Sequence, residues 1–342
     1  MSPAPIRHPW ETAPEPSAPI EVAEGIFWLR LPLPMTLDHV NVYLLRDEGG
    51  GWTLVDTGLN WRKGRAALDA GLEALGARVT RVLVTHHHPD HSGLAGTFRA
   101  QGAELLMPRV AWLTARMLVL DEQERPTEEA IAFWRSAGMD PEILAGRMNE
   151  RPFNFADSVA PFPLGFTDLA EGTRLRAGGR DWTVRLGQGH APDHATLWCE
   201  DDPIVLGGDQ LLPGISPNIS LYPTEPEADP LRGWLESCAR LSPFATEEQL
   251  VLGGHKLPYT GLPRRLRQLE DNHHSALRRL TSHLETPRTA AECFAPLFKR
   301  EISTGNYGLA LGESMAHLIH LWHRGDAQRE RRTDGAWLWT SR

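Results

Sequence analysis

Short runs of apolar and β-branched residues dominate the first part of the chain and predict β-strands at 22–33, 40–46 and 52–55, with Gly49-Gly50-Gly51 breaking the last two apart. From Trp61 to Leu75 the spacing changes, and Ala66, Leu68, Leu72 and Leu75 fall roughly on one helical face. Arg81-Val82-Leu83-Val84-Thr85 reads as a buried strand that runs straight into a histidine cluster. Residues 108–165 differ: Met117, Leu118, Ile131, Phe133 and Trp134 sit in helix-like context broken by Pro126, Pro141 and Pro152. They predict a helical insertion, either a lid over a site or ordinary packing helices. Strands resume at 173–176, 182–186, 196–199, 204–206 and 250–252, the first two as a hairpin around Gly178-Gly179. Helices are expected at 264–284, 289–299 and 308–324, then a hairpin of 327–332 and 336–340 around Asp334-Gly335. Helices followed by a hairpin suggest a small winged-helix-like module.

The expected division is therefore an arm over 1–20, a main domain over 21–262 and a C-terminal domain over 263–342. The arm holds six prolines, which fix φ and lack a donor, so it is expected to be extended. With 342 residues, 41% hydrophobic and 23% charged, the chain is globular rather than disordered. A net charge of -9 argues against a surface built to coat nucleic acid, although residues 264–342 carry +4. Cys199, Cys238 and Cys293 lie far apart with no CxxC pair, which excludes a disulfide framework and fits a reducing compartment. No secretory signal and no run of ~18 apolar residues is present, so a cytoplasmic protein without membrane contact is expected.

The sharpest feature is Thr85-His86-His87-His88-Pro89-Asp90-His91-Ser92-Gly93, which contains H-x-H-x-D-H. In an extended loop His86 and His88 point the same way by the period of two, and Asp90 and His91 can turn towards a second metal. Pro89 is expected to keep the segment from being a helix. Imidazole and carboxylate suit Zn²⁺, Fe²⁺ or Mn²⁺. Three later strand ends add ligands of the same type: Gly189-His190, Gly208-Asp209 and Gly254-His255. Four strand-end loops carrying metal-type ligands are hard to explain as packing.

This order of motifs, over residues 20–260, resembles the metallo-β-lactamase superfamily. The resemblance implies an α+β fold, the αββα metallo-β-lactamase sandwich with its site at one sheet edge, here followed by the small winged-helix-like domain. It implies two divalent metal ions, Zn²⁺ first, with Mn²⁺ or Fe²⁺ accepted by the same ligands. Carried over by position, His86, His88 and His190 would hold one ion. Asp90, His91 and His255 would hold the other, with Asp209 bridging. Val55-Asp56-Thr57-Gly58 looks like the strand-end Asp that braces the metal loop, and Asn41 and Tyr43 match the early N-x-Y strand. His87 and His194 match no ligand position and are expected as a spacer and as a bracing or core residue. His273 and His274 are expected to be solvated or packed in their helix, and His8 to be disordered.

Two metals ~3.5–4 Å apart can bridge a water and acidify it into a hydroxide nucleophile, which Asp90 would orient. Fold and ligand set do not choose the substrate. The loop from Gln210 to Pro223 is apolar and amide-rich, with no positive charge before Arg232, and suits an acyl chain better than phosphates. Asn218 or Tyr222 could donate to an oxyanion, and Lys256 could contact a carboxylate or phosphate of coenzyme A or glutathione. Phe133, Trp134, Phe153 and Phe155 of the insertion could cap an apolar substrate. The expectation is a dinuclear metal-dependent hydrolase acting on a thioester or ester of a small-molecule acyl group, with homodimerisation left open. The alternatives are a single-strand-specific endoribonuclease of the winged-helix-tailed kind and a non-catalytic, metal-stabilised protein that binds nucleic acid or a partner. Only Arg324, Arg329, Arg331, Arg332, Trp337 and Trp339 approach the basic-aromatic interleaving that RNA requires.

Overall fold

The computed structural model describes residues 5–342. Its first sheet consists of β1 (Ile20–Ala23), β2 (Ile26–Pro32), β3 (His39–Arg46), β4 (Trp52–Val55), β5 (Val79–Leu83), β6 (Glu104–Met107) and β7 (Thr167–Asp168), side by side in chain order. Pairing is antiparallel from β1 to β4 and parallel from β4 to β7. The second sheet holds β8 (Arg174–Ala177), β9 (Arg180–Gly187), β10 (His194–Cys199), β11 (Ile204–Gly208) and β12 (Leu250–Gly253), in the order β12-β11-β10-β9-β8. Only β11 and β12 run parallel.

Strands β2, β3, β4, β10 and β11 are buried along nearly their whole length, because both of their faces are covered. Ile26 and Trp28 of β2 with Tyr43 and Leu45 of β3 face the second sheet, where Trp182, Val184, Leu197, Leu206 and Leu252 meet them. The intervening residues, Phe27, Leu29, Leu31, Val42 and Leu44, face the other way. There they pack on α1 (Arg62–Leu75), α3 (Ala95–Ala100) and α4 (Arg109–Leu120), through residues such as Leu68, Phe98 and Ala111. The one-turn α2 (Pro89–Ser92) lies between α1 and α3 in the chain. The outer face of the second sheet, with Trp198, Val205 and Val251, packs on α5 (Glu128–Ser136), α7 (Pro230–Leu241), α8 (Leu262–His283) and α10 (Tyr307–Arg324). The layers are thus helix, sheet, sheet, helix. Trp28 and Trp182 are wholly buried between the sheets, and truncating either to Ala would cost about 3–5 kcal/mol.

Residues 108–165 hold α4, α5 and α6 (Pro141–Asn149) with a 3-10 turn at Phe155–Ser158. After α8 come α9 (Phe294–Phe298), α10 and a hairpin of β13 (Ala327–Arg331) with β14 (Trp337–Ser341). No helix among the described residues is long and apolar enough to cross a membrane.

Three local expectations are corrected. The run 22–33 begins inside one strand and continues into the next, because Gly25, at φ +72°, turns β1 back on β2. The helix expected at 289–299 is a 3-10 turn at Ala291–Cys293 followed by the five-residue α9. Pro296 has no N–H to give to the Glu292 carbonyl, which accepts from His283 Nε2 instead. His8 is ordered: its Nδ1 donates to the Pro258 carbonyl at 3.0 Å, while Arg7 pairs with Thr260 and Trp10 meets Trp28 edge to face. Residues 1–4 of the arm lie outside the described residues.

Candidate metal centre

Parallel strands leave a sheet at the same end, so residues that follow them share an edge. Asp56 follows β4, His86 follows β5, Asp209 follows β11 and His255 follows β12, while His190 sits in the β9–β10 connection. Pro89 does not prevent a helix here. It occupies the first position of α2, where its missing N–H is harmless, and the turn it opens lifts Asp90 and His91 towards the strand ends.

The side chains converge. One ligating atom from each of His86, His88 and His190 lies within 4.8 Å of the others, as holds also for His86, His91 and Asp209 and for Asp90, His91 and His255. His86 Nε2 is 3.0 Å from His88 Nδ1. Asp209 stands in the middle, with Oδ1 3.4 Å from His91 Nε2 and Oδ2 3.5 Å from His190 Nε2 and 3.2 Å from His255 Nε2. Asp90 Oδ2 is 3.6 Å from His91 Nε2 and 3.5 Å from His255 Nε2. His91 Nε2, His190 Nε2 and Asp209 Oδ1 are buried with no hydrogen-bond partner among the described residues. Each such orphan costs about 1–3 kcal/mol, and all three belong to atoms that face the same small volume, so the donor set fits divalent cations. The backbone leaves room for it: a Cβ on Gly254 would stand 2.3 Å from Asp209 Oδ1 and 2.7 Å from His91 Cε1.

The far side of each ring is held, as ligating imidazoles require. His91 Nδ1 donates to Asp56 Oδ2 at 2.8 Å, His190 Nδ1 to the Asn218 carbonyl at 2.9 Å, and His255 Nδ1 to the His39 carbonyl at 2.7 Å. His86 Nδ1 lies 3.0 Å from Thr85 Oγ1. Asn41 and Tyr43 tie the β12 end in place, both donating to the Gly253 carbonyl, and Asn41 also to that of Lys256. His194, buried and stacked on His86, accepts from the Asp209 backbone N–H. His87 packs against Phe155.

Charge is arranged to suit a cation. Burial, then the neighbouring imidazoles of His91, His194 and His88, hold His86 well below the ordinary histidine range; burial and His190 do the same to His88. Neutral imidazole is the ligating form. Burial would raise Asp209, but His255 and His91 outweigh it and hold this carboxyl well below its ordinary value. Burial likewise opposes charge on His91 and His255, yet Asp209 and Asp90 raise both. A divalent cation among these groups would take over from those protons.

The remaining expected residues are placed differently. The Asn218 amide is committed inside the protein, donating to Glu313 Oε2 at 2.8 Å and to the Leu309 carbonyl, so it does not face the centre as an oxyanion donor. Its backbone carbonyl matters instead, through His190. Tyr222 is exposed and lines a groove of about 270 Å³ with Phe133, Trp134, Leu221, Leu309 and Arg147. Lys256 is exposed beside His255, on left-handed backbone at φ +66°. Most apolar residues of the 210–223 loop, among them Leu211, Leu212 and Ile219, are buried in the fold rather than turned to a substrate. Phe155 is buried too, whereas Phe153 is exposed. Two contributors were missed by sequence reasoning: His39, whose Nε2 also accepts from the Lys256 N–H, and Glu313. The signals were present as a His two positions before Asn41 and as the one acid of α10.

Comparison with known proteins gives the same picture. A family model described as the metallo-beta-lactamase superfamily matches residues 35–281, and one described as the metallo-beta-lactamase-like C-terminal domain matches 277–342. A Bacillus subtilis (strain 168) protein named probable metallo-hydrolase YqjP is 26% identical over 311 residues, covering 86% of this chain and 91% of its own. A crystal structure of a beta-lactamase domain protein from Burkholderia ambifaria is 34% identical, with a TM-score of 0.90 and 98% of each chain covered. A metallo-beta-lactamase family protein from Thermus thermophilus is 30% identical, with a TM-score of 0.79 over 94% of this chain and 100% of its own.

Proposed function

The chain belongs to the metallo-β-lactamase superfamily, and on that premise we propose that it is a dinuclear hydrolase acting on a thioester or ester of a small acyl group. The observation that carries the reading is the convergence of seven ligating side chains, three of whose facing atoms have no partner among the described residues. His86, His88 and His190 would hold one ion, and Asp90, His91 and His255 the other, with Asp209 between them; Zn²⁺ is the proposed metal. Such ions supply Lewis acidity and a water acidified towards neutral pH. Asp90 is the carboxylate nearest the opening, its side chain 17% exposed against 8% for Asp209. It orients the attacking water by accepting a hydrogen bond from it. Asp56, the Asn218 carbonyl and the His39 carbonyl keep the rings aimed, so no reorganisation is needed when substrate arrives.

The groove beside Asn218 supports an acyl substrate. Its walls are largely aromatic and aliphatic, and its one cation, Arg147, is stacked on Trp134. Lys256, exposed and next to His255 in the chain, offers a cation to an anionic carrier group. The basic-aromatic stretch of the C-terminal hairpin gives RNA less support than its composition suggests. Arg329 is enclosed by Trp322, Trp337 and Trp339 and is ion-paired to Glu227, and Trp339 is wholly buried. The same reading takes the helices and hairpin after 263 as a winged-helix-like packing module and places the protein in the cytoplasm, in keeping with its free cysteines.

The test is a set of initial rates on acyl-coenzyme A and acyl-glutathione thioesters beside a single-stranded RNA, with Asp90→Ala as the blank. Thioester turnover that disappears in the blank is expected. RNA cleavage without thioester turnover would overturn the substrate assignment.

A further inference from the structure

A second group of ligating side chains meets between α8 and α10. His273 comes from α8, and Glu313 and His317 from α10, where a spacing of four puts them on one face. One ligating atom from each lies within 4.8 Å of the others, and both histidines are buried. We propose that these three residues form a further cation site, for an ion of the Zn²⁺ class, distinct from the centre at the strand ends.

Three features carry this. First, His273 Nδ1 and His317 Nε2 are 3.2 Å apart. Two nitrogens on a tetrahedral ion with bonds of ~2.0–2.1 Å stand about 3.3 Å apart. Second, the surroundings prepare the ligands in the manner of a metal site. His317 Nδ1 donates to the Glu313 carbonyl at 2.8 Å, which leaves Nε2 as a bare acceptor, and the Glu313 carboxylate accepts from Asn218 Nδ2. Third, the group has unmatched electrostatics. Burial holds His273 at about 3 and His317 at about 4, so both rings are neutral. Burial also pushes Glu313 up to about 7, against the Asn218 hydrogen bond and the charge of Arg300. A divalent ion supplies the charge that this carboxylate lacks.

The site would also join two parts of the molecule. Asn218 links Glu313 to His190 through its amide and its carbonyl, so an ion here fixes the loop that aims a ligand of the catalytic centre. The inference does not depend on which substrate the protein hydrolyses.

The experiment is elemental analysis of zinc-loaded, gel-filtered full-length protein in a background that breaks all three ligand groups of the catalytic centre, His86→Ala with Asp209→Ala and His255→Ala. One equivalent of zinc is expected to remain in that background and to be lost on adding His317→Phe. No retained zinc, or zinc retained equally with and without His317, would overturn the site. Should the background fail to fold by circular dichroism, an anomalous difference map at the zinc edge on wild-type crystals decides. A peak between α8 and α10 supports the site, and peaks at the strand ends alone overturn it.

Discussion

Asp56 Oδ2 accepts a 2.8 Å hydrogen bond from Nδ1 of His91. The same carboxylate accepts from the Thr85 hydroxyl at 2.9 Å and from the Thr85 backbone N–H at 2.8 Å. It stands on left-handed backbone at φ +58°. One buried acid therefore fixes both the loop that follows β5 and the imidazole that faces Asp209. Asp56→Ala would leave buried donors on Thr85 and His91 unpaired, at about 1–3 kcal/mol each. Metal affinity is expected to fall roughly 10–100-fold, read by competition with a chromophoric chelator, and the melting temperature to fall with it. Unchanged affinity would show the bond to be incidental to the centre.

Gly254 adds no ligand, yet its lack of a side chain is required. A methyl group there would collide with Asp209 and His91. Gly254→Ala is expected to reduce metal affinity at least about tenfold, in keeping with displaced ligands, while the far-ultraviolet spectrum stays native. Retention of full affinity would mean that Asp209 can swing aside without consequence.

Asp229 joins α7 to α10. It caps α7 by accepting from the Arg232 N–H and pairs with His320 of α10 at 3.0 Å. Burial would raise its carboxyl, but the bonds to His320 and Arg232 outweigh burial and hold it below its ordinary value. A depressed carboxyl contributes stability above its unfolded pKa of about 3.9, and that contribution is lost as pH falls through the lower folded value. Metal-free Asp229→Ala is expected to be about 2 kcal/mol less stable than wild type at pH 7, about 1 from the cap and about 1 from the pair. The gap should close as the acid limb is descended. Urea titrations at several pH values would show this, and a gap independent of pH would contradict it.

The thiols give a separate check on the packing. Burial pushes Cys238 and Cys293 up to about 12, so almost no thiolate exists at pH 8. Cys199 is only partly buried. Alkylation of native protein is expected to label Cys199 alone, with the other two reacting only in denaturant. Early labelling of Cys238 would mean that the α7 packing opens readily.

Much of this was legible in the chain because ligand chemistry is local. His86, His88, Asp90 and His91 sit in six consecutive positions, and each distant partner follows a strand with glycine before it. Strand positions were legible for the same reason, since residues such as Trp28 and Leu29 serve opposite faces of one sheet. What escaped was tertiary. Asn218 reads as a turn residue with a free amide, but its amide is taken by Glu313, 95 residues away. His39 braces His255 through a backbone carbonyl, an atom that every residue type carries. His273 reads as one of two adjacent helix histidines, and only the approach of α10 distinguishes it from exposed His274. The division of 289–299 was in principle readable, because Pro296 stands inside it.

The central claim is that hydrolysis belongs to the metal centre at the strand ends. It is tested most directly by stripping the wild-type protein with a chelator, measuring its hydrolysis rate, and adding divalent zinc back beside His91→Ala and Asp209→Ala. Stripped wild type is expected to be inactive and to recover its rate with zinc, while neither variant recovers. Full activity in the stripped protein, or recovery in Asp209→Ala equal to wild type, would contradict the account.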